Sequence, residues 1–225
     1  GATALDGGYV RFPQDDLLGI LALESRRARA LCVGEDLGVV PPGLREEMAS
    51  RNVLRSQVLY FERGHDGGFV SPQHYAQSAF VSLGTHDLPT LAGYVEGRDL
   101  RVRRAAGNLE SDAALARALE EREHAVRQLK QALRAAQLLP ALPEPPSLEA
   151  LTEAVHRWLA SANSRLIGLG LDDLTLEPDA LNTPATLLPS APNWARRSRM
   201  TLEAIALDER IADLLRKLRA AVWPG

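Results

Sequence analysis

The sequence predicts an α/β fold in which the strands of a parallel sheet alternate with helices. Short continuous apolar runs recur along the chain, and such runs are typical of strands buried on both faces of a sheet. Segments with helical periodicity separate the runs, which favours right-handed crossovers between parallel strands. The two clearest runs end abruptly at ionisable residues, one before Glu35 and the other before His86 and Asp87.

About four strands are expected in the 225 residues of the chain. A closed (β/α)8 barrel has eight strands in about 250 residues, so the count fits half of such a barrel. A small doubly wound sheet would fit the same pattern, and periodicity does not distinguish the two architectures. In a barrel, the side chains at the carboxyl ends of the strands are the first candidates for chemistry.

The first elements are a helix and a strand. The helix is expected over residues 13–30, because apolar residues recur at helical spacing and Asp15 and Asp16 complement its positive end. A short apolar strand over residues 30–33 follows, and Glu35 stands just beyond it.

The next elements continue the alternation. Two prolines, Pro41-Pro42, open a helix over about residues 43–50, since proline is tolerated at a first helical position. Strong β formers at residues 57–61 predict a strand. Another apolar run predicts a strand over residues 79–84, and a helix over about residues 88–95 follows it.

The middle of the chain is predicted to be helical. An apolar stripe with three-and-four spacing runs over residues 111–139. A stiff, proline-rich link over residues 140–146 precedes a second helix that starts at Ser147, a suitable N-cap. Together these segments are interpreted as a helical insertion over about residues 108–164.

The last part of the chain holds one more strand and one more helix. The strand is expected over residues 165–169, and it ends near Asp172 and Asp173. An irregular segment with three prolines covers residues 182–193, and an amphipathic helix is expected over about residues 196–221.

Composition excludes several classes of protein. The net charge of −3 gives no reason to expect a nucleic-acid partner. A single cysteine, Cys32, excludes an internal disulfide framework and suits a reducing compartment. Neither a signal peptide nor an apolar segment near 18 residues is found, so we expect a soluble, cytoplasmic protein without a membrane partner.

Glu35 and Asp87 are the first catalytic candidates. Two carboxylates at one face are the minimum requirement for cleaving a glycoside, since one protonates the leaving oxygen and the other supports an oxocarbenium-like centre. The acid needs a raised pKa, which the neighbouring carboxylate of Asp36 could provide. Alternatively, Glu35 and Asp36 merely begin a loop and cap the helix after it.

Other chemistries find less support. His86 could be a general base, a metal ligand or a hydrogen-bond donor to substrate. The other histidines form no ligand spacing, so we expect no metal. The chain has no glycine-flanked serine elbow and no G-x-G-x-x-G segment, so neither a serine triad nor a nucleotide cofactor is expected.

Aromatic side chains could stack on sugar rings, although aromatic residues more often belong to the core. The candidates are Tyr60, Phe61, Trp158 and Trp194.

Several motifs, in family order over nearly the whole chain, resemble the 4-α-glucanotransferases, the amylomaltase or disproportionating-enzyme family. They are Tyr9 to Pro13, Asp15 to Leu18, Gly34 to Pro41, Val58 to Glu62, Thr85 to Thr90, Asn182 to Thr186, and Asn193-Trp194. The resemblance is closest to the bacterial maltodextrin-metabolising branch. It implies a (β/α)8 barrel of which this chain is the C-terminal half, strands five to eight with flanking helices and the helical insertion.

The resemblance also implies roles for individual residues. Glu35 would be the general acid/base, and Asp87 the carboxylate that stabilises the transition state. The residues expected to bind substrate are His86, Asp36, Tyr60 and Asn182. The substrates implied are maltodextrins and other α-1,4-glucans, and no cofactor is implied.

The chain departs from the family at two points. The family nucleophile is an aspartate in an Arg-x-Asp motif, which is absent from these 225 residues. Ala185 stands where the family usually has glycine. Because the chain begins at Gly1 without a methionine, we expect a fragment that lacks the N-terminal half of the barrel and is inactive alone.

Two alternatives remain open at this point. One is a starch hydrolase of the amylase type, and the other is a non-catalytic carbohydrate-binding or structural module. Half a barrel would also expose two sheet edges, which favours self-association of the fragment.

Overall fold

The computed structural model describes residues 6–8, 10–142, 144–186 and 193–222. Within these ranges the chain forms a parallel sheet of four strands with flanking helices, which confirms the predicted fold class. The chain divides into two compact units, Gly1–Ser56 and Gln57–Gly225.

The first unit contains two helices and the start of the sheet among its described residues. The elements are α1 (Gln14–Ala28), β1 (Val33–Gly34), α2 (Leu44–Ser50) and β2 (Leu54–Val58), which continues into the second unit. Strands β1 and β2 pair in parallel, with Val33 opposite Leu54. Gly34 allows β1 to lie close to α2, since a Cβ atom there would come within 2.6 Å of the Met48 methyl carbon.

Helix α1 has the predicted position but not a buried face. Its apolar residues Leu17, Ile20 and Leu23 are each about half exposed. Among the described residues, α1 contributes nothing to the buried core. The left-handed conformation of Arg29 ends the helix, and backbone N–H groups there return to carbonyls of the last turn.

The second unit contains most of the helices. Among its described residues these are α3 (Leu91–Glu96), α4 (Arg98–Ala105), α5 (Asp112–Ala135), α6 (Leu148–Ala160), α7 (Leu171–Leu174), α8 (Leu202–Leu207) and α9 (Glu209–Val222). Strand β3 (Ala79–Ser82) pairs in parallel with β4 (Leu166–Ile167), and the strand order in the sheet is β1-β2-β3-β4.

The core of this unit is made by helix faces that the sequence periodicity predicted. Leu129 and Leu133 of α5 are fully buried, as are Val155 and Leu159 of α6. Each buried side chain of this size contributes about 1.5–3 kcal/mol. A second apolar cluster joins the end of α6 to one face of α9, to which Ile211, Leu214 and Leu218 contribute.

Side-chain caps start several helices of the second unit. Ser111, Ser147 and Thr90 each accept a hydrogen bond from the backbone N–H three residues later, at the starts of α5, α6 and α3. Such a cap is worth about 1 kcal/mol. The predicted cap at Ser147 is confirmed.

Some predicted boundaries are wrong. Strand β2 lies at Leu54–Val58 rather than residues 57–61, and a 3₁₀ turn, Leu59–Phe61, takes over the end of that run. The predicted final helix is two helices, because the extended backbone of Asp208 separates α8 from α9. Its expected first turn, residues 196–201, is not helical.

Some predicted features fall outside the described residues. They are Tyr9 of one family motif, part of the proline-rich link at residue 143, and residues 187–192 of the irregular segment. Among the helices that the structure describes, none is long and apolar enough to cross a membrane.

Candidate active site

Glu35, the predicted acid/base, follows β1 directly in the first unit. Its side chain is exposed. The carboxylate makes no hydrogen bond or ion pair with the residues that the structure describes, so both oxygens are available to a ligand. The geometry therefore allows the predicted proton-transfer role.

Asp36, the next residue, has the opposite environment. One carboxylate oxygen accepts a hydrogen bond from the backbone N–H of Ser56 at 2.9 Å, and the other accepts from Arg45 Nε at 2.6 Å. The Arg55 Nε atom lies 3.4 Å from that second oxygen. The Asp36 side chain is 1% exposed, so it fastens the end of β1 to α2 and β2.

This arrangement answers one of the questions that the sequence left open. Helix α2 begins after Gly43 and has no side-chain cap, so the alternative that Glu35 and Asp36 cap it is wrong. Asp36 holds the chain immediately after Glu35, which gives it a positioning role. Its predicted contact with substrate stays a prediction.

His86 and Asp87 lie in a tight turn after β3 in the second unit. The Ser82 hydroxyl donates to the Gly84 carbonyl oxygen at 2.9 Å, and the Asp87 backbone N–H donates to the Thr85 hydroxyl at 3.2 Å. Both side chains are about half exposed. The turn thus presents two polar groups to solvent.

Asn182 completes this group from a distant part of the chain. Its side-chain amide donates to Asp87 Oδ1 at 2.6 Å, and His86 Nε2 lies 3.5 Å from the same oxygen. Asp87 Oδ2 has no hydrogen-bond partner among the residues described. The structure therefore brings three of the predicted site residues together and leaves one carboxylate oxygen accessible.

These residues border a cleft of about 530 Å³. Asp87 and Asn182 line it, together with Pro89, Asn108 and Ala185. A second cavity of about 250 Å³ is lined by His86. The larger cleft is in the size range of small-molecule sites.

Tyr60 is a core residue. Its ring stacks on Tyr94 with centroids 4.3 Å apart, and its hydroxyl is buried without a hydrogen-bond partner among the described residues. Burial, and then the carboxylate of Asp173, raise the pKa of Tyr60 well above its usual value. A Cβ atom at Gly84 would lie 3.3 Å from the Tyr60 ring, so the ring supports the His86 turn from below. Its predicted role in substrate binding stays a prediction.

The other aromatic candidates divide between core and surface. Trp158 is buried, whereas Phe61 is half exposed and Trp194 is 60% exposed. The Trp194 ring lies against His86, with centroids 5.3 Å apart. Sequence reasoning named Trp194 as one of four stacking candidates and as part of the Asn193-Trp194 motif, but the sequence did not show that its side chain is exposed.

Asp173 is a supporting residue to which sequence reasoning gave no role. It is buried behind the His86 turn, and its Oδ1 accepts from the Leu91 backbone N–H at 2.7 Å, at the start of α3. Burial raises the pKa of this carboxyl to about 6. The only signal in the sequence was the position of Asp172 and Asp173 at a strand end.

The described residues hold no group of three or more histidine, cysteine or acidic side chains that could bind a metal ion. The polar groups at hand are carboxylates, one imidazole and one amide.

The fold and the site define an α/β protein with a parallel sheet, in which exposed carboxylates follow the strands β1 and β3. A family model, glycoside hydrolase family 77, described as 4-alpha-glucanotransferase, matches residues 1–202. The chain belongs to this family, and the resemblance seen in the sequence is confirmed.

Curated relatives agree with this family. The chain is 34% identical over 214 residues to a 4-alpha-glucanotransferase of Haemophilus influenzae, covering 93% of this chain and 30% of the relative. It is 36% identical over 233 residues to the Mycobacterium bovis 4-alpha-glucanotransferase, covering 98% of this chain and 31% of the relative. The chain therefore spans about a third of the length of these relatives.

Solved structures support the fold. Amylomaltase from Corynebacterium glutamicum superposes with a TM-score of 0.83 at 29% identity, covering 96% of this chain and 32% of that chain. Amylomaltase from Streptococcus agalactiae in complex with acarbose has a TM-score of 0.63 at 17% identity, covering 98% and 37%. The second likeness concerns the fold alone.

Proposed function

We propose that this chain carries the acid/base and the substrate-orienting part of a 4-α-glucanotransferase, which moves α-1,4-glucan segments between maltodextrins. The observation that carries the proposal is the group around Asp87. Its carboxylate is oriented by Asn182 at 2.6 Å, stands beside His86 and borders a cleft, in a chain of the 4-alpha-glucanotransferase family.

The proposed reaction is a retaining double displacement. In its first step, an aspartate attacks the anomeric carbon of a donor glucan, and the bond from that carbon to the glycosidic oxygen breaks. Glu35 transfers its proton to the departing oxygen, which leaves as the 4-hydroxyl of the released glucan. The remaining glucan is held as a covalent glycosyl-enzyme.

The second step decides whether the glucan is transferred to another sugar or hydrolysed by water. Glu35, now a carboxylate, accepts the proton of the 4-hydroxyl of an acceptor glucan, whose oxygen attacks the anomeric carbon and releases the aspartate. The acceptor competes with water because the enzyme holds its 4-hydroxyl in the reactive position. A positioned group reacts as if it were present at a far higher concentration than in free solution. The exposed Glu35 carboxylate is accessible for both proton transfers.

Asp87 is proposed to stabilise the positive charge that develops at the anomeric centre. The Asn182 amide and the turn after β3 hold its carboxylate in place before the substrate arrives. A preorganised charge needs no rearrangement as the transition state forms. His86, next to it, is proposed to donate a hydrogen bond to a hydroxyl of the sugar being transferred.

The nucleophilic aspartate is proposed to lie outside these 225 residues, since they contain no Arg-x-Asp motif. The chain alone should therefore bind glucan without transferring it. Incubation of the purified chain with maltotriose is expected to give neither glucose nor longer maltodextrins. Transfer at a rate close to that of a 4-alpha-glucanotransferase of full length would contradict this part of the proposal.

Calorimetric titration with maltoheptaose tests the binding part. The wild-type chain should bind, and Asp87→Asn and Asn182→Ala should bind at least several-fold more weakly, because the hydrogen-bonded group they form is disrupted. Asp213→Asn, an exposed carboxylate change on α9, serves as the control and should bind like the wild type. No binding by the wild type, or equal binding by all variants, would favour a structural module instead.

A further inference from the structure

Trp194 is an exposed tryptophan with an unusual backbone conformation. Its side chain is 60% exposed, and its φ angle is 61°. A bulky residue with positive φ is strained, and such strain persists only where surrounding contacts impose it. Exposure and strain together need an explanation that core packing does not give.

The surrounding contacts that hold Trp194 come from Asn193 and the segment before it. The Asn193 side chain accepts from the Thr183 backbone N–H at 3.0 Å and donates to the Thr186 hydroxyl at 2.9 Å. The Trp194 backbone N–H donates to the Leu181 carbonyl oxygen at 3.0 Å. The indole is therefore held at a fixed place at the protein surface.

That place is beside the candidate site. The indole ring lies 5.3 Å from the His86 ring, centroid to centroid, at a tilt of 43°. The segment that fixes Trp194 also contains Asn182, whose amide orients Asp87. The aromatic face of Trp194 and the carboxylate of Asp87 thus lie beside the same imidazole.

A sugar ring matches this combination of groups. The C–H groups on one face of a pyranose are apolar and pack on an aromatic ring, whereas its hydroxyls hydrogen-bond with carboxylate, amide and imidazole groups. Tryptophan offers a large rigid face together with one polar N–H, so it loses little conformational freedom on binding.

We propose that Trp194 is a sugar-stacking residue, and that its exposed indole face packs against a glucose unit of an α-1,4-glucan bound beside His86 and Asp87. This inference rests on the proposed function and adds a binding residue to the same site. On this proposal, the strained backbone of Trp194 holds the indole in the position that ligand binding requires.

Titration with maltoheptaose compares the wild-type chain with Trp194→Ala and Trp194→Phe. The alanine variant should bind about tenfold more weakly, and the phenylalanine variant should lie between the two, because aromatic packing is worth about one factor of ten. Leu142→Ala removes a 77% exposed apolar side chain from the proline-rich link and should bind like the wild type.

Fluorescence gives a second measurement in which Trp194 itself is left unchanged. In a Trp223→Phe background, acrylamide quenching should report mainly on Trp194, since Trp158 is 5% exposed. Saturating maltoheptaose should reduce the quenching at least twofold. Unchanged quenching, at a concentration where calorimetry shows binding, would overturn the proposal.

The outcomes separate the inference from the function on which it rests. Binding that depends on Asp87 but is equal in wild type and Trp194→Ala would overturn stacking by Trp194 and leave the proposed function intact. Absence of maltoheptaose binding by the wild type would overturn both. Loss of binding in Trp194→Ala with retention in Trp194→Phe would support stacking.

Discussion

At the scale of single residues, the structure distinguishes a carboxylate whose oxygens bind other parts of the protein from one that keeps an oxygen accessible to a ligand. Asp36 has both oxygens occupied by Arg45 and Ser56 and is 1% exposed. Asp87 has one oxygen held by Asn182 and the other accessible among the described residues. Partners and burial, rather than residue type, give these two aspartates different roles.

Asp173 provides a pH-dependent prediction at this scale. Burial raises its pKa from 3.8 to about 6, so the folded chain binds this proton more tightly than the unfolded chain does. The stabilisation from the protonated form is complete below pH 3.8 and is lost as the pH rises through about 6. Asp173→Asn keeps the acceptor for the Leu91 N–H and removes the charge. The variant should be more stable than wild type at pH 7, by about 3 kcal/mol at most.

Urea unfolding at several pH values measures this effect. The difference between Asp173→Asn and wild type should shrink toward zero near pH 4, because both side chains are then neutral. Asp112→Asn changes an exposed carboxylate and should show a small difference at all pH values. A stability difference for Asp173→Asn that stays constant from pH 4 to pH 7 would contradict the assignment.

At the same scale, the sequence named His86, Asp87 and Asn182, which the structure brings together, but did not indicate how deeply the candidate residues are buried. The strand-end positions of Glu35 and Asp87 followed from apolar runs that stop abruptly, and the family motif added Asn182. The sequence left Tyr60 open between the core and sugar stacking, because its core position depends on stacking with Tyr94, 34 positions later in the chain. Burial of this kind is a tertiary property that local pattern does not contain.

At the scale of elements, the four strands and the helices α5 and α6 were predictable, whereas the exact bounds of the strands and the break in the final helix were not. Helices α5 and α6 start at the residues after Ser111 and Ser147, because a cap and an apolar stripe agree there. Strands β1 and β4 are two residues long, so their apolar runs extend beyond the paired residues. The break at Asp208 has no glycine or proline to mark it, and it was missed.

Arg122 of α5 joins three helices and supports a prediction at this scale. Its guanidinium donates to both Asp99 carboxylate oxygens of α4, at 2.7 and 2.8 Å, and to the Tyr94 carbonyl oxygen of α3 at 3.0 Å. Both members of the ion pair are mostly buried. Arg122→Ala would leave Asp99 buried without its partner, which should destabilise the chain by about 3–5 kcal/mol.

Chemical denaturation of matched variants measures this contribution. Arg122→Lys keeps the charge but loses the two-pronged hydrogen bonding and the planar contact over the Tyr94 ring, so an intermediate loss is expected. Arg127→Ala, which removes an exposed ion pair with Glu123 on the same helix, should cost about 0.5 kcal/mol or less. Equal losses in the free energy of unfolding for Arg122→Ala and Arg127→Ala would show that the buried ion pair contributes no more stability than the exposed one.

At the scale of the whole molecule, the strand order places β1 and β4 at the outer positions of the described sheet. Strand β4 carries the 37% exposed Leu166. Beside it lies a cavity of about 350 Å³ with a largely apolar lining, to which Ile167, Leu215 and Leu218 contribute. An outer strand next to an apolar groove offers backbone hydrogen-bonding groups and hydrophobic surface to another chain.

We therefore predict that the 225-residue chain self-associates through the β4 edge. Light scattering after size-exclusion chromatography should give a mass that rises with protein concentration. Leu166→Lys should reduce this rise, because a charged side chain on an outer strand opposes edge-to-edge pairing. Leu142→Lys places the same charge on another exposed leucine, in the proline-rich link, and should leave association unchanged. A monomer at every concentration in the wild type, or an equal effect of the two lysine variants, would contradict association through β4.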